Sequence, residues 1–350
     1  MKAVNASVSR ADPARRAPWR RRLQRLRASV YFATVPWCNY GINAFWHHRF
    51  TRGYIPKSVY LEVTNRCNAR CVMCPHEKMQ RPRGHMPWEV FQRIVEECAS
   101  FEGRGLSLFL HKDGEPLMDP QLFERIAYAR QRLPRSRLHF NTNAALLDAA
   151  KAEALLQSPL DSVVFSVDGA STETYEAIRV GLSYAQVTAN IQAFFRLKRE
   201  RGSRLHVTLQ MVVNPSNRHE VARYREEWGG LADRVVFKPM HNFLVQGTSV
   251  HGAGLNARQV SRCKMPFKEM FIYWNGDVAL CCWDYDHLAP AGTVMTQPLL
   301  AIYNGPRFEA VRRGMRQMDC RRLHPCAVCS QIYGQDNPLL ADEALLQEGT

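Results

Sequence analysis

Three cysteines stand close together in one short stretch of the chain. Cys67, Cys71 and Cys74 lie within residues 61–76, where a β-branched, alternating run breaks into a loop. Gaps of three and two residues let one loop surround a corner of a cubane iron–sulfur cluster. Three thiolates bind three irons, so a four-iron cluster would keep one iron open to an external ligand. A structural zinc site is the alternative, because thiolates also suit zinc.

The spacing resembles the Cys-x3-Cys-x2-Cys signature of the radical S-adenosylmethionine (radical SAM) superfamily. The resemblance implies a 4Fe-4S cluster whose open iron binds the amino and carboxylate groups of S-adenosylmethionine (SAM). Reductive cleavage of SAM would then yield a 5'-deoxyadenosyl radical. The family often places an aromatic residue before the third cysteine, whereas this chain has Met73, a thioether that can cover a purine face.

A second motif resembles the Gly-Gly-Glu-Pro sequence of the same family. It consists of Gly114, Glu115 and Pro116, with Asp113 at the position of the first glycine. Glycine lets the backbone approach a ligand closely, and Glu115 with the nearby carbonyls can meet an ammonium group. The motif also makes an ordinary turn. Its place after the cysteine trio, at a predicted strand end, favours a role in SAM binding.

Small polar side chains follow two further predicted strands. Asn143 comes after the third strand, and Ser166 and Asp168 end the fourth. Such groups suit a ribose and the carboxylate of SAM. The following stretch resembles the fourth strand and helix start of the family, which adds Arg179. A helix cap at Ser171 is the structural alternative, and both interpretations can hold.

The C-terminal part of the chain contains a second group of cysteines. Cys263, Cys281, Cys326 and Cys329 resemble the ligands of the family's auxiliary-cluster extensions, called SPASM or, in a shorter form, twitch. Between the first two, the Asn-Gly pair at 275–276 predicts a hairpin that brings them together. Four thiolates close a site completely, so the expected object is a saturated 4Fe-4S cluster, with a zinc ribbon as the alternative.

Only two cysteines near this group are left over. The longer SPASM pattern needs about three more ligands, and Cys282 and Cys320 are the remaining candidates. We therefore expect one auxiliary cluster. Cys38 and Cys98 have the character of ordinary small apolar residues.

A βα rhythm from Val59 onward must position these motifs. The predicted strands are 58–64, 106–111, 137–142, 162–167, 205–213 and 234–239. The predicted helices are 88–101, 120–133, 146–157, 184–201 and 219–231, with the sixth helix unclear. Six parallel units predict an α/β fold, a partial (β/α)6 TIM-like barrel, with a small C-terminal iron–sulfur (SPASM/twitch) domain. Reactive groups gather at the carboxyl ends of strands in such sheets, which is where the motifs lie.

Four regions are expected along the 350 residues. They are a basic, aromatic extension at 1–50, a radical SAM core at 55–250, the auxiliary-cluster domain at 255–335 and a tail at 336–350. The eleven cysteines are odd in number and have metal-like spacings, which indicates a reducing, cytoplasmic location rather than a disulfide framework.

The net charge of +15 is concentrated at the N-terminus, where residues 1–27 contain nine Lys and Arg and the single acidic residue Asp12. A basic tail rather than a nucleic-acid groove is therefore expected. The extension either packs on the core or makes peripheral contact with an anionic membrane surface. Its apolar runs are shorter than the roughly 20 residues that span a bilayer.

The combined motifs predict a radical SAM oxidoreductase that receives electrons from a reductase such as flavodoxin or ferredoxin. The sparse set of four C-terminal cysteines resembles an antibiotic-pathway dehydrogenase that acts on an amino-cyclitol, which implies oxidation of a carbinol in a small sugar or cyclitol. A redox-neutral epimerase with Cys282 or Cys320 as hydrogen donor is one alternative. Others are a maturase of a ribosomally made peptide and a non-catalytic iron–sulfur or zinc protein.

Overall fold

The computed structural model describes residues 53–240, 263–320, 322–323, 325–329 and 332. The predicted extension at 1–50 and tail at 336–350 lie outside the described residues. The strands are β1 (Ser58–Leu61), β2 (Ser107–Phe109), β3 (Arg137–Thr142), β4 (Ser162–Ser166), β5 (His206–Val213), β6 (Arg234–Pro239), β7 (Glu269–Ile272), β8 (Asp277–Ala279) and β9 (Pro290–Thr293). The α-helices are α1 (Trp88–Ala99), α2 (Leu122–Arg132), α3 (Ala149–Gln157), α4 (Thr172–Ile178), α5 (Tyr184–Glu200), α6 (Val221–Trp228), α7 (Met265–Lys268), α8 (Leu299–Tyr303) and α9 (Pro306–Gln317).

The strands form one sheet in the order β6-β5-β4-β3-β2-β1-β7-β8-β9. Strands β1 to β6 are parallel to their neighbours, and helices follow them along the chain. The predicted α/β fold with a parallel, barrel-type sheet is thus confirmed. Among the described residues, no helix is both long and apolar enough to cross a membrane.

Four described helices were not in the predicted set: the short α7 and α8, and two whose start signals are recognisable. The first, α4, begins at the predicted cap, because the Ser171 hydroxyl accepts a hydrogen bond from the Thr174 backbone at 3.3 Å. The second, α9, starts with Pro306 in its first turn, a position that proline suits. The first strand is shorter than predicted, since it ends at Leu61 and the chain turns away toward the cysteine loop.

Alternation along the strands separates two faces of the barrel sheet. One face packs beneath the helices and is fully buried, as for Phe165, which contacts Phe194 of α5 with ring centroids 5.2 Å apart. The opposite face, which carries residues such as Tyr60, Asn141 and Gln210, looks into the barrel; we call the space in front of it the lumen. Alternate residues of a strand point to opposite sides, so the register decides which side chains share the lumen.

Four rings from adjacent strands stack across the lower lumen. Phe271 of β7, Tyr60 of β1, Phe109 of β2 and His139 of β3 lie in this order, with successive centroid distances of 4.7, 4.2 and 4.8 Å. We call this group the aromatic floor. Stacked rings bury large apolar areas, so the floor closes the lumen from below.

The predicted Asn-Gly hairpin is present between β7 and β8. Gly276 has φ of +90°, a conformation that favours glycine, and its backbone donates to the Tyr273 carbonyl at 2.9 Å. An unpredicted feature is the placement of β7, which pairs in parallel with β1. The C-terminal hairpin therefore extends the sheet of the barrel.

Candidate functional site

The three cysteines of the N-terminal motif occupy a loop between β1 and α1. The Cys74 backbone donates to the Cys71 carbonyl at 2.9 Å, which tightens the loop between two of the three thiols. Backbone bonds from Arg70 to Val180 (2.8 Å) and from Val72 to Ile178 (3.0 Å) attach the loop to the end of α4. The unpaired carbonyls of a helix end thus hold the loop in place.

The thiols of this loop are close enough to influence one another. Burial, with smaller contributions from the neighbouring Glu115 and Cys71, raises the pKa of Cys67 to about 11. Cys74 has an exposed surface, yet surrounding protein desolvates its sulfur and raises its pKa to about 12, with added contributions from Cys71 and Cys67. A set of three thiols in one loop fits an iron–sulfur cluster, whose protein ligands are thiolates. Cluster binding would release protons from these thiols.

The described residues contain no group of three or more His, Cys, Asp or Glu side chains that could hold a metal ion. The predicted ligands are nonetheless brought together in two sets, one in the loop and one near the C-terminal hairpin.

Gly114 lies directly against the cysteine loop. A Cβ atom added there would be 2.4 Å from the Thr64 carbonyl oxygen and 2.8 Å from that of Arg66. The next backbone N–H, of Glu115, donates to the Arg66 carbonyl at 2.9 Å. The motif needs glycine because the strand end and the loop touch through their backbones, and Pro116 then begins a buried turn.

The Glu115 carboxylate is bound by the chain itself. It accepts hydrogen bonds from Thr142 Oγ1 at 2.6 Å and from the backbones of Leu117 and Asn143 at 3.0 and 2.8 Å. Burial raises its pKa, and these hydrogen bonds oppose the shift. The Glu115 carboxylate thus joins the chain after β2 to the end of β3, and its contact with an ammonium group stays a prediction.

Asn143 links β3 to the cysteine loop. Its Nδ2 donates to Oδ1 of Asn68, the residue after Cys67, at 2.8 Å, and its Oδ1 accepts from the Ala145 backbone at 2.9 Å. The side chain is buried. Asn143 therefore fixes the position of the loop.

Asp168 and Arg179 form an ion pair beside Cys71. Asp168 accepts from Arg179 Nε at 2.7 Å and from the Val212 backbone at 2.6 Å. Burial works against the charge of Arg179, but Asp168 and Cys71 raise its pKa, so the guanidinium stays cationic. Burial also raises the pKa of Cys71, and Arg179 opposes that shift. A cation thus stands next to the predicted cluster ligands, and Ser166 lies nearby at the end of β4.

A polar cluster that the sequence did not predict joins the loop region to the C-terminal hairpin. Arg81 donates to Glu62 at 2.7 Å, to Asp113 at 3.0 Å and to the Tyr285 carbonyl at 2.6 Å, and its guanidinium lies 4.3 Å from the centre of the Tyr273 ring. Glu62 also accepts from the Trp274 backbone at 3.1 Å. The only sequence signal was Asp113 in place of the family's first glycine.

The four C-terminal cysteines converge in the structure. Cys263 precedes α7, Cys281 follows β8, and Cys326 and Cys329 flank a short 3-10 turn. Burial, followed by the charge of Cys281, raises the pKa of Cys263 to about 12. The pKa of Cys326 is raised by burial and by the other three predicted ligands together with Cys320. This arrangement fits the predicted auxiliary cluster.

The two spare cysteines are packed against sulfur and aromatic groups. Cys282 Sγ lies 3.4 Å from Met265 Sδ and contacts a buried cluster around Phe271. A hydrogen bond with Cys281 raises the Cys282 pKa well above its ordinary value. Cys320 is 1% exposed, with its sulfur 3.7 Å from that of Met315.

Comparison with known proteins identifies two regions. The Radical SAM superfamily model matches residues 61–227, and the model of an iron–sulfur cluster-binding domain, SPASM, matches 263–330. Such domains bind, respectively, a 4Fe-4S cluster with SAM and auxiliary iron–sulfur clusters.

Curated relatives are similar over part of their length. The tungsten-containing aldehyde ferredoxin oxidoreductase cofactor-modifying protein of Pyrococcus furiosus is 28% identical over 173 residues, which is 48% of each chain. The mycofactocin maturase MftC of Mycobacterium ulcerans is 27% identical over 131 residues, 37% of this chain and 34% of the maturase. The chain thus spans about half, or less, of the length of these relatives.

Solved structures share the fold. BtrN in complex with AdoMet and 2-DOIA has a TM-score of 0.54 at 15% identity, with coverage of 81% of this chain and 94% of BtrN. Streptococcus suis SuiB bound to the precursor peptide SuiA has a TM-score of 0.58 at 14% identity, with coverage of 79% and 70%. Both family matches coincide with the two sets of cysteines described above. The chain therefore contains a radical SAM superfamily domain at residues 61–227 and a SPASM iron–sulfur cluster-binding domain at residues 263–330.

Proposed function

We propose that this protein is a radical SAM dehydrogenase that oxidises a carbinol of a small sugar or cyclitol. When bound, the cofactors supply a 5'-deoxyadenosyl radical for hydrogen abstraction and an acceptor for the electron that is released as the carbinol becomes a ketone. The observation that carries the proposal is the convergence of two separate cysteine sets, Cys67, Cys71 and Cys74 on one loop and Cys263, Cys281, Cys326 and Cys329 around the hairpin.

The residues of the chain have distinct roles in this proposal. Asn143 and Gly114 hold the cysteine loop against the strand ends. Arg179, kept cationic by Asp168, binds the carboxylate of SAM beside Cys71. Glu115 orients the strand ends that surround the methionine moiety.

The packing of the spare cysteines favours oxidation over epimerisation. An epimerase needs a thiol that reaches the substrate radical. Cys320 is buried against Met315, and Cys282 is occupied by contacts with Met265 and Cys281. We therefore propose that neither thiol donates hydrogen during turnover.

Electrons enter, in this proposal, from a flavodoxin or ferredoxin in the cytoplasm. The cysteine loop is accessible, since Cys74 is exposed and the neighbouring Val72 is 66% exposed. Arg70 and Lys78 are exposed around it, together with Glu77, which lies 3.9 Å from Arg70. An apolar contact with an excess of cations around it suits an acidic electron carrier.

Iron counts and SAM cleavage by the anaerobically reconstituted protein test the proposal. Replacing Cys67, Cys71 and Cys74 with alanine should abolish 5'-deoxyadenosine formation and lower the iron content from about eight to about four atoms per chain. Cys98→Ala, a buried cysteine of α1, is the control and should keep both. A triple variant that retains all its iron would show that the loop does not hold the cluster.

Product analysis in deuterated water separates the two reactions. A dehydrogenase product lacks two hydrogen atoms and carries no deuterium at the reacting carbon, and Cys282→Ala and Cys320→Ala keep turnover. Deuterium at an inverted carbon, together with lost turnover in either variant, would establish the epimerase instead.

A further inference from the structure

Five polar side chains face the lumen above the aromatic floor. His111 follows β2, Asn141 lies on β3, Ser166 ends β4, Gln210 lies on β5 and Lys238 on β6. The strand register places them on the face opposite the helices. Apart from one backbone contact of the His111 ring, their side chains have no hydrogen-bond partner among the residues that the structure describes.

The side chains around this set, by contrast, are hydrogen-bonded to the protein. Thr142 is bonded to Glu115 and Asn143 to Asn68, while His139 of the aromatic floor is bonded to Ser162. None of the unbonded polar atoms of the five lumen side chains is sealed from solvent among the described residues, and Lys238 is exposed, so these groups face an accessible space rather than the packed core. Donors and acceptors that converge on one accessible space, with an apolar floor beneath them, fit a polar ligand.

His111 is held as a hydrogen-bond donor. Its Nδ1 accepts from the Asn141 backbone at 3.3 Å, which leaves the proton of the neutral ring on Nε2. The ring stands edge-on to Tyr60 and Phe109, each with a centroid distance of 5.9 Å. Burial, followed by the charges of Lys238 and His139, lowers the His111 pKa to about 3, so the ring is neutral at physiological pH.

Lys238 supplies a cation to the same space. The preceding Phe237 packs against Tyr224 of α6 at 5.7 Å, so Lys238 points to the other side of the strand. Within the described part of the chain, no carboxylate forms an ion pair with Lys238, whereas Asp168 is neutralised by Arg179. The Lys238 side chain is exposed, yet desolvation by the surrounding protein and the charge of Arg234 still lower its pKa, as expected for a lysine without a counterion.

We propose that the lumen binds a substrate with an anionic group, a carboxylate or a phosphate, which Lys238 neutralises. His111, Asn141 and Gln210 bind hydroxyl or carbonyl groups of the same molecule above the aromatic floor. This inference rests on the proposed function, because the radical must act on a molecule held in the barrel. The carboxylate of SAM is matched separately by Arg179, which lies beside Cys71.

Acetylation of Lys238 by a small reagent, quantified by mass spectrometry on the reconstituted, SAM-loaded protein, tests the inference. Inorganic phosphate and malonate serve as probe anions and myo-inositol as a neutral probe. An anion at ten times its apparent Kd should slow labelling of Lys238 about tenfold. Lys151, partly exposed on α3 and paired with Asp148, is the internal control and should label at an unchanged rate. Protection by phosphate alone assigns a phosphorylated substrate, and protection by malonate alone assigns a carboxylate.

Three results would overturn the inference. The first is equal labelling of Lys238 with and without either anion, and the second is equal protection by myo-inositol. The third is protection by SAM that the anions reverse, which would mean that Lys238 binds the carboxylate of SAM. Lys238→Gln should lose anion binding, measured by calorimetry, and keep SAM affinity. Iron content and SAM cleavage, measured on the same protein, report on the proposed function independently of these results.

Discussion

The cofactor rim and the lumen are neighbouring polar regions with opposite hydrogen-bonding states. The rim comprises Glu115, Asn143, Asp168 and Arg179, and the chain itself binds each of these side chains. In the lumen, the side chains of Gln210 and its neighbours have no such bonds to described residues. Both regions are positioned by strands of one sheet, so the same sheet carries both hydrogen-bonding states.

The difference indicates two roles: the rim residues set the geometry of the site, and the lumen residues recognise a ligand. A rim whose polar groups are satisfied by the chain has its geometry before any cofactor arrives, which lowers the cost of ordering the site. The accessible donors and acceptors of the lumen are left for solvent or for a ligand. Substitutions in the rim should therefore lower stability, and substitutions in the lumen should lower turnover.

The largest effect is expected from Asp168→Asn. The variant keeps the shape of the side chain but leaves the buried Arg179 without its counterion, so the free energy of unfolding should fall by about 3 kcal/mol or more. Urea unfolding followed by tryptophan fluorescence measures this change. Glu153→Gln, which alters a surface pair with Arg201, should lower it by less than about 1 kcal/mol. Equal small losses in both variants would mean that the rim is not prebuilt.

Gly114→Ala should have the next largest effect. The added Cβ would meet backbone oxygens of Thr64 and Arg66, which no side-chain movement can relieve, so a loss of about 2–3 kcal/mol and poorer iron incorporation are expected. Gly230→Ala is the matched control, since a Cβ added at Gly230 would have no other atom within 4 Å among the described residues. Unchanged stability and iron content in the first variant would contradict the close contact.

The free energy of unfolding should depend on pH through the protonation of His111. Its folded pKa of about 3 lies below the ordinary value of 6.5, so the unfolded chain takes up the proton first as the pH falls. The stability due to the neutral ring is therefore present above pH 6.5 and is lost below it, by about 1 kcal/mol between pH 7 and pH 5.5. His111→Gln should lack this part of the pH dependence in urea unfolding. Parallel pH profiles for both proteins would show that His111 is solvated like a free histidine.

The smallest change in stability is expected in the lumen. Gln210→Met breaks no described hydrogen bond and should alter the free energy of unfolding by less than about 0.5 kcal/mol while lowering turnover. Its counterpart in the rim region, Thr142→Val, removes the 2.6 Å bond to Glu115 and should cost about 1–2 kcal/mol. If Gln210→Met lowered the free energy of unfolding by more than Thr142→Val, the distinction between rim and lumen would be wrong.

Much of the barrel was predictable from the sequence, because apolar alternation and turn residues are local signals. The six parallel strands, the Ser171 cap and the Asn-Gly hairpin were all predicted correctly. These features depend on residues close together in the chain.

Contacts between distant residues were not predictable in this way. The bonds of Glu62 with Arg81 and with Trp274 depend on the pairing of β7 with β1, for which no local pattern exists. The roles of Glu115 and Lys238 likewise follow from register, which places side chains on one face or the other. No local pattern predicted that Thr142 and Asn143 would donate hydrogen bonds to the Glu115 carboxylate.

The parallel pairing of β7 with β1 also affects how the chain is made. Strand β1 leaves the ribosome early, yet one of its two neighbours, Glu269–Ile272, is synthesised only near the C-terminus. At roughly 5–20 residues per second, this edge of β1 stays open for some tens of seconds. An unpaired strand edge invites pairing with other chains. The barrel thus cannot close its first strand during early synthesis, and protection by a chaperone in that interval should raise the yield of soluble protein.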